Sequence, residues 1–141
     1  MNNLWQSIAG FPDFLLYFAL ALALLALFVA IYVRVTPYRE ITLIREGNIA
    51  ASISLSGAVV GLVLPLASAI AHSVSPLDMV AWGVIALVVQ LVVYAVTSRM
   101  VPRFREAIEA GRAAPAVLLA ALSISVGILN AASHSWLTIR E

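Results

Sequence analysis

Few residues in this chain could do chemistry, and where they sit is the first constraint on function. There is no Cys and no Lys; the chain has two His, His72 and His134, with seven acidic and eight Arg residues. Without Cys there is no disulfide framework, thiol chemistry or Cys-based metal site. The charged residues fall between long apolar runs, so no Asp, Glu, Arg or His is expected in the core of a run. An ionisable group at membrane depth would mark a proton relay, an acidic cation site or a proteolytic dyad. None is expected here, and with them go any cofactor, any metal and an enzymatic role. The polar groups left inside the runs are neutral: Gln90 in VVQLVVY and Asn130 in GILNAAS. An amide unpaired in lipid is costly, so both should face the interior. There they either make an interhelical hydrogen bond of about 0.6 kcal/mol or line a polar pathway. Pro65 frees a backbone carbonyl near Gly61 or Leu62 and gives a kink or a polar point. Ser52, Ser54, Ser56, Ser68, Ser125 and Ser133 are expected to bond back to their own helices.

The elements that carry these residues follow from composition. The chain has 141 residues, 63% hydrophobic and 11% charged, with mean hydropathy +1.05. A soluble domain is about 25% charged, so this chain lacks the polar surface to cover a soluble globule. Its net charge of +1 gives no bulk attraction to nucleic acid, which is not expected as a partner. Membrane lipid is. The opening MNNLWQSIAGFPD lacks a basic start, so the apolar run after it is expected to be a retained span rather than a cleaved signal.

Only helices satisfy their own backbone in lipid, at about 20 residues per crossing. The sequence therefore predicts an all-α, four-helix transmembrane bundle in a single domain, 1–141, with spans at 14–34, 49–71, 77–99 and 113–135. Ser75, Pro76 and Asp78 form a capping start for the third, and the HSVS turn before it is short enough to make its flanking helices antiparallel. At an offset of 64 residues the halves match: Arg39 with Arg103, Ile44 with Ile108, Gly47 with Gly111, Leu55 with Leu119. This predicts two parallel two-helix repeats, 14–72 and 78–136. Each repeat has a connector between its spans that starts beside Pro37 or Pro102 and ends at Gly47 or Gly111. Apolar Ile41, Leu43 and Ile44, and Phe104, Ala107 and Ile108, alternate there with charge, so each connector should be a short amphipathic interfacial helix. Asn48 is placed to cap the second span, and Pro115 suits the first turn of the fourth.

Arg34, Arg39, Arg45, Arg99, Arg103, Arg105 and Arg112 lie at the connector side, against Arg140 alone at the other. That bias puts the connectors in the cytoplasm and both termini outside. Trp5, Phe11, Trp82 and Trp136 are expected in the outer aromatic belt, and Tyr32, Tyr38 and Tyr94 in the inner one. Gly57 and Gly61 form a GxxxG spacing, and Ser123, Gly127 and Ala131 recur every four residues; such faces let helices approach closely. The second and fourth spans should thus form a tight centre, with the first and third turned more to lipid.

At TPYREITLIREGNIAASISLSGAVVGLVLPLASAI, and again at WGVIALVVQLVVYAV and GILNAAS, the chain resembles the YjfL family of bacterial inner-membrane proteins. The resemblance runs from the first span to Trp136. It implies a small four-helix protein of the bacterial inner membrane, of a family classed as a domain of unknown function, with no catalytic or binding residues to carry over. The second half departs from the first at Arg112, where Asn48 stands, and at Leu129, where Pro65 stands, so the halves need not do the same job. Two functions are open: a non-enzymatic module that self-associates or anchors a partner complex at its connectors, or a subunit of a small oligomeric channel or transporter. Both carry the expectation of a homo-oligomer.

Overall fold

Among the described residues seven helices account for nearly all positions: α1 Asn2–Ala9, α2 Phe11–Val35, α3 Glu40–Arg45, α4 Ile49–His72, α5 Pro76–Met100, α6 Phe104–Glu109 and α7 Ala113–Ile139. The structure, a computed structural model, describes residues 1–72 and 75–139, the last five by their backbone alone. The middle of the HSVS turn, the Trp136 side chain and Arg140 lie outside the described residues. No strand occurs among those described.

Local chemistry sets most boundaries. Thr36 and Val101 end α2 and α5 in extended backbone, as a residue before proline must. Ser75 Oγ accepts from Asp78 N at 3.2 Å, and Pro76 occupies the first turn of α5. Glycine ends both short helices with the same hydrogen-bond pair. Asn48 N donates to Leu43 O and Gly47 N to Ile44 O; Arg112 N donates to Ala107 O and Gly111 N to Ile108 O. Gly47 has φ 85° and Gly111 φ 78°, the left-handed conformation that such a helix stop needs and that a Cβ resists.

Four stretches are long and apolar enough to cross a membrane: Asn2–Val35, Ile49–His72, Pro76–Met100 and Ala113–His134. At two ends the helices extend past the spans read from the sequence. The first helix does not begin at Phe14; α2 starts at Phe11 and α1 precedes it, because Gly10 keeps a near-helical backbone (φ −82°, ψ −7°). In the fourth, helix α7 runs on to Ile139, while its membrane-length stretch is Ala113–His134.

The packing is centred on α4, half of whose most apolar stretch is buried. Its tightest neighbour is α7, with α5 and α2 on its other sides. The third span is not the lipid-facing helix expected from its Leu and Val content. α5 buries 39% of its apolar window against 22% for α7, through a stripe at Met79, Gly83, Ala86, Leu87, Gln90, Val93, Tyr94 and Thr97. That spacing is helical, but in an all-apolar run it is invisible to hydropathy. α2 is the outlying helix, with 17% of its window buried.

Candidate functional site

The small residues lie in the α4–α7 seam. A Cβ built on Gly57 would stand 2.5 Å from Ala120 Cβ, and one on Gly127 would stand 2.6 Å from Gly61 O. One on Gly61 would meet both Ser123 O and Gln90 Nε2 at 2.5 Å. Gln90 is buried where α4, α5 and α7 meet, and its Nε2 donates to Ser123 O at 3.0 Å. Asn130 is half-buried, Pro65 is buried within α4, and Ala131 lies half-buried in α7, its carbonyl accepting from Ser68 Oγ at 3.1 Å. Ser68 thus reaches across to α7, a contact the sequence reading did not include. Ser52, Ser54, Ser125 and Ser133 do bond back; Ser56 is exposed.

At one end of the bundle, Asn48 ties the two short helices together. Its Oδ1 accepts from Ala51 N at 2.9 Å, capping α4, while its Nδ2 donates to Ile108 O at 2.9 Å and Glu109 O at 3.2 Å. It therefore satisfies orphan groups at the start of α4 and at the end of α6 with one side chain. Arg112, at the corresponding place before α7, is exposed. Arg39, Arg45 and Arg103 also point outward, and Arg105 pairs with Glu109 at 3.0 Å on the surface. A cleft of about 420 Å³ runs between the short helices, lined by Tyr38, Arg39, Thr42, Leu43, Arg105 and Glu109.

Beneath that cleft the structure corrects the sequence reading most. Tyr32, Tyr38 and Tyr94 do not form a lipid-facing belt. They turn inward and pack with Phe104, with ring centroids 6.2 Å apart for Tyr32–Tyr94 and Tyr38–Tyr94 and 5.9 Å for Tyr94–Phe104. Within this cluster lies Glu40, only 1% exposed; it stands in α3, outside the four membrane-length stretches, where the sequence reading set no expectation of burial. Neither carboxylate oxygen has a hydrogen-bond partner among the described residues, nor does the hydroxyl of Tyr32 or of Tyr38. Burial pushes the Glu40 carboxyl up to about 7, with the nearby Tyr38 hydroxyl acting in the other direction without closing a bond of normal geometry. Burial, and then the Glu40 charge, push the Tyr38 phenol up in turn.

A signal for Glu40 was present. In a helix starting at residue 40, positions 40, 43 and 44 share a face, and Glu40 is buried with Leu43 and Ile44 half-buried beside it. Ile41, counted with the apolar face, points outward at 46% exposure. A second buried titratable group is His134, at the opposite end, where the fourth membrane-length stretch closes. Its ring lies 4.4 Å from that of Trp82, and Nδ1 is 3.4 Å from Ser68 Oγ.

Four membrane-length helices, three of them packed around α4, define the class: a small polytopic α-helical protein, integral to the membrane. The chain belongs to the family described as Domain of Unknown Function (DUF350), whose model matches residues 6–134. It is 39% identical over 120 residues to UPF0719 inner membrane protein YjfL of Escherichia coli (strain K12), covering 85% of this chain and 91% of that protein. It is 28% identical over 128 residues to UPF0719 transmembrane protein YshE of Bacillus subtilis (strain 168), covering 91% and 94%. Neither name states an activity. No solved structure matches the chain.

Proposed function

We propose that this protein is a non-enzymatic module of the bacterial inner membrane whose connector face anchors a cytoplasmic partner. The observation that carries the reading is the Asn48 tie, which joins α3–α4 to α6–α7 and holds the cleft between the short helices in one shape. A surface meant only to turn the chain would not need its two turns bonded to each other. We read the architecture as two parallel two-helix repeats, each with a connector helix, supported by equal 25-residue α2 and α5, equal six-residue α3 and α6, and the matched glycine stops. The Arg bias supports a cytoplasmic connector face with both termini periplasmic. Inactive alkaline-phosphatase fusions at both termini would overturn that orientation.

Gly57, Gly61 and Gly127 are engaged within the chain, so a homo-oligomer has to form through the lipid-facing surfaces of the other helices. The channel or transporter alternative draws less support, since the Gln90 amide binds the Ser123 carbonyl and closes the helix junction. The anchoring reading is tested on native gels of gently solubilised bacterial membranes. The parent should migrate in a complex larger than its own purified oligomer, and a variant carrying Arg39→Glu, Arg45→Glu and Arg103→Glu should fall to the mass of that oligomer. Unchanged migration of the variant removes the reading.

A further inference from the structure

Four buried oxygens at the connector end share one place and have no hydrogen-bond partner among the described residues: Glu40 Oε1 and Oε2, Tyr32 Oη and Tyr38 Oη. Buried polar groups in folded proteins nearly always find a partner, and a cluster without one calls for a missing water or ion. A carboxylate adds the further demand for a positive charge. No Arg among the described residues meets that demand: their ion pairs are Arg103–Glu106 and Arg105–Glu109, and Arg39 is exposed. Nor does packing require a carboxyl at this position. Sixty-four residues on, the first position of α6 is Phe104, 3% exposed in the same cluster. An apolar side chain fills the corresponding place, so the charge of Glu40 is additional to the architecture.

We propose that Glu40, Tyr32 and Tyr38 form a binding site for one small, hard monovalent cation of the sodium class. All four atoms are oxygens, with no nitrogen or sulfur donor among them, and oxygen sets favour hard cations. One carboxylate balances one charge, and a divalent ion would leave a buried positive charge uncompensated. The rings of Tyr32, Tyr38, Tyr94 and Phe104 pack against one another beside the site. The groups that act on or feel Glu40 are Tyr32 from α2, Tyr38 from the link and Tyr94 from α5, with Ser54 of α4 beside Tyr38 and Arg105 of α6 beside Tyr94. Because burial raises the Glu40 carboxyl, a proton competes for the site, and cation binding strengthens as pH rises.

The test is thermal unfolding of the full chain in detergent at pH 8, with choline chloride replaced stepwise by sodium, potassium or lithium chloride at constant ionic strength. The melting temperature is expected to climb with the logarithm of sodium concentration, and the climb to shrink at pH 5.5. Glu40→Gln, neutral and of the same shape, should abolish the response. Tyr38→Phe, which keeps the ring and removes one oxygen, should weaken apparent affinity about tenfold. Indifference of the parent to all three cations at pH 8 overturns the proposal, as does a sodium response that survives in Glu40→Gln. A response to pH that is the same in every salt also overturns it, leaving the proton as the sole ligand. Should Glu40→Gln fail to fold, Tyr32→Phe and Tyr38→Phe decide, and a full response in both counts against the site.

Discussion

Gly57→Ala is the sharpest probe of the bundle, because two effects of known size oppose each other there. In an open helix, replacing Gly by Ala gains about 1 kcal/mol of helix propensity. At Gly57 the new methyl would lie 2.5 Å from Ala120 Cβ and closer still to Ala120 Cα, where ordinary contact begins at 3.4 Å. Part of that obstruction is backbone, so no rotamer change relieves it, and α4 and α7 must separate by about 1 Å. A gap of that size forfeits a quarter to a half of the dispersion attraction along the affected seam, and overpacking of this kind costs about 1–3 kcal/mol. Taking the upper end, because the strain falls on two backbones, the net loss is about 2 kcal/mol. Gly83→Ala is the matched control. There the methyl would meet Phe28 Cε2 at 2.7 Å, and the Phe28 ring can turn aside, so the change should lie within about 1 kcal/mol of the parent. The assay is reversible unfolding in mixed detergent followed by circular dichroism, repeated over a tenfold range of protein concentration. Equal or greater stability for Gly57→Ala would refute the intramolecular seam. So would a loss that appears only on dilution, since that would place the glycine face between copies.

Asn48→Ala removes the α4 cap and both bonds to α6 and should cost about 1–2 kcal/mol in the same assay, whereas Arg112→Ala should stay within about 0.5 kcal/mol. Gly47→Ala and Gly111→Ala meet nothing within 4 Å, so each should cost only the left-handed backbone strain, about 1 kcal/mol; a larger loss at either would point to a hidden contact. The Glu40 carboxyl is raised from 4.5 to about 7 on folding. The folded state therefore holds the proton more tightly, and stability is greatest below pH 4.5 and lost as pH rises toward 7, with a slope of at most about 1.4 kcal/mol per pH unit. In choline buffer the melting temperature should fall across that window for the parent and stay flat for Glu40→Gln, a contrast measured by scanning calorimetry.

Four spans, their short links and the glycine stops were legible in the residues because each rests on local physics. A run of about 20 apolar residues has no alternative to a membrane helix. Gly47 and Gly111 sit where the chain must take positive φ, and Asn48 and Ser75 sit where helix starts need an acceptor. The glycine spacing also pointed to close approach between the second and fourth spans, because small residues act by what they lack. What tertiary structure alone decided is which face of each helix turns inward. In a soluble protein, apolar stripes mark the core, but in a bilayer the exterior is as apolar as the interior and hydrophobicity no longer separates them. That is why α5 proved more buried than α7, and why Ser68 was not foreseen to bond to a neighbouring helix. It is also why Tyr32, Tyr38 and Tyr94 close over Glu40 instead of facing lipid. The sequence alone determined that this chain has four helices long and apolar enough to cross a membrane; only the packing gathered one carboxyl and two phenols into a single buried cluster.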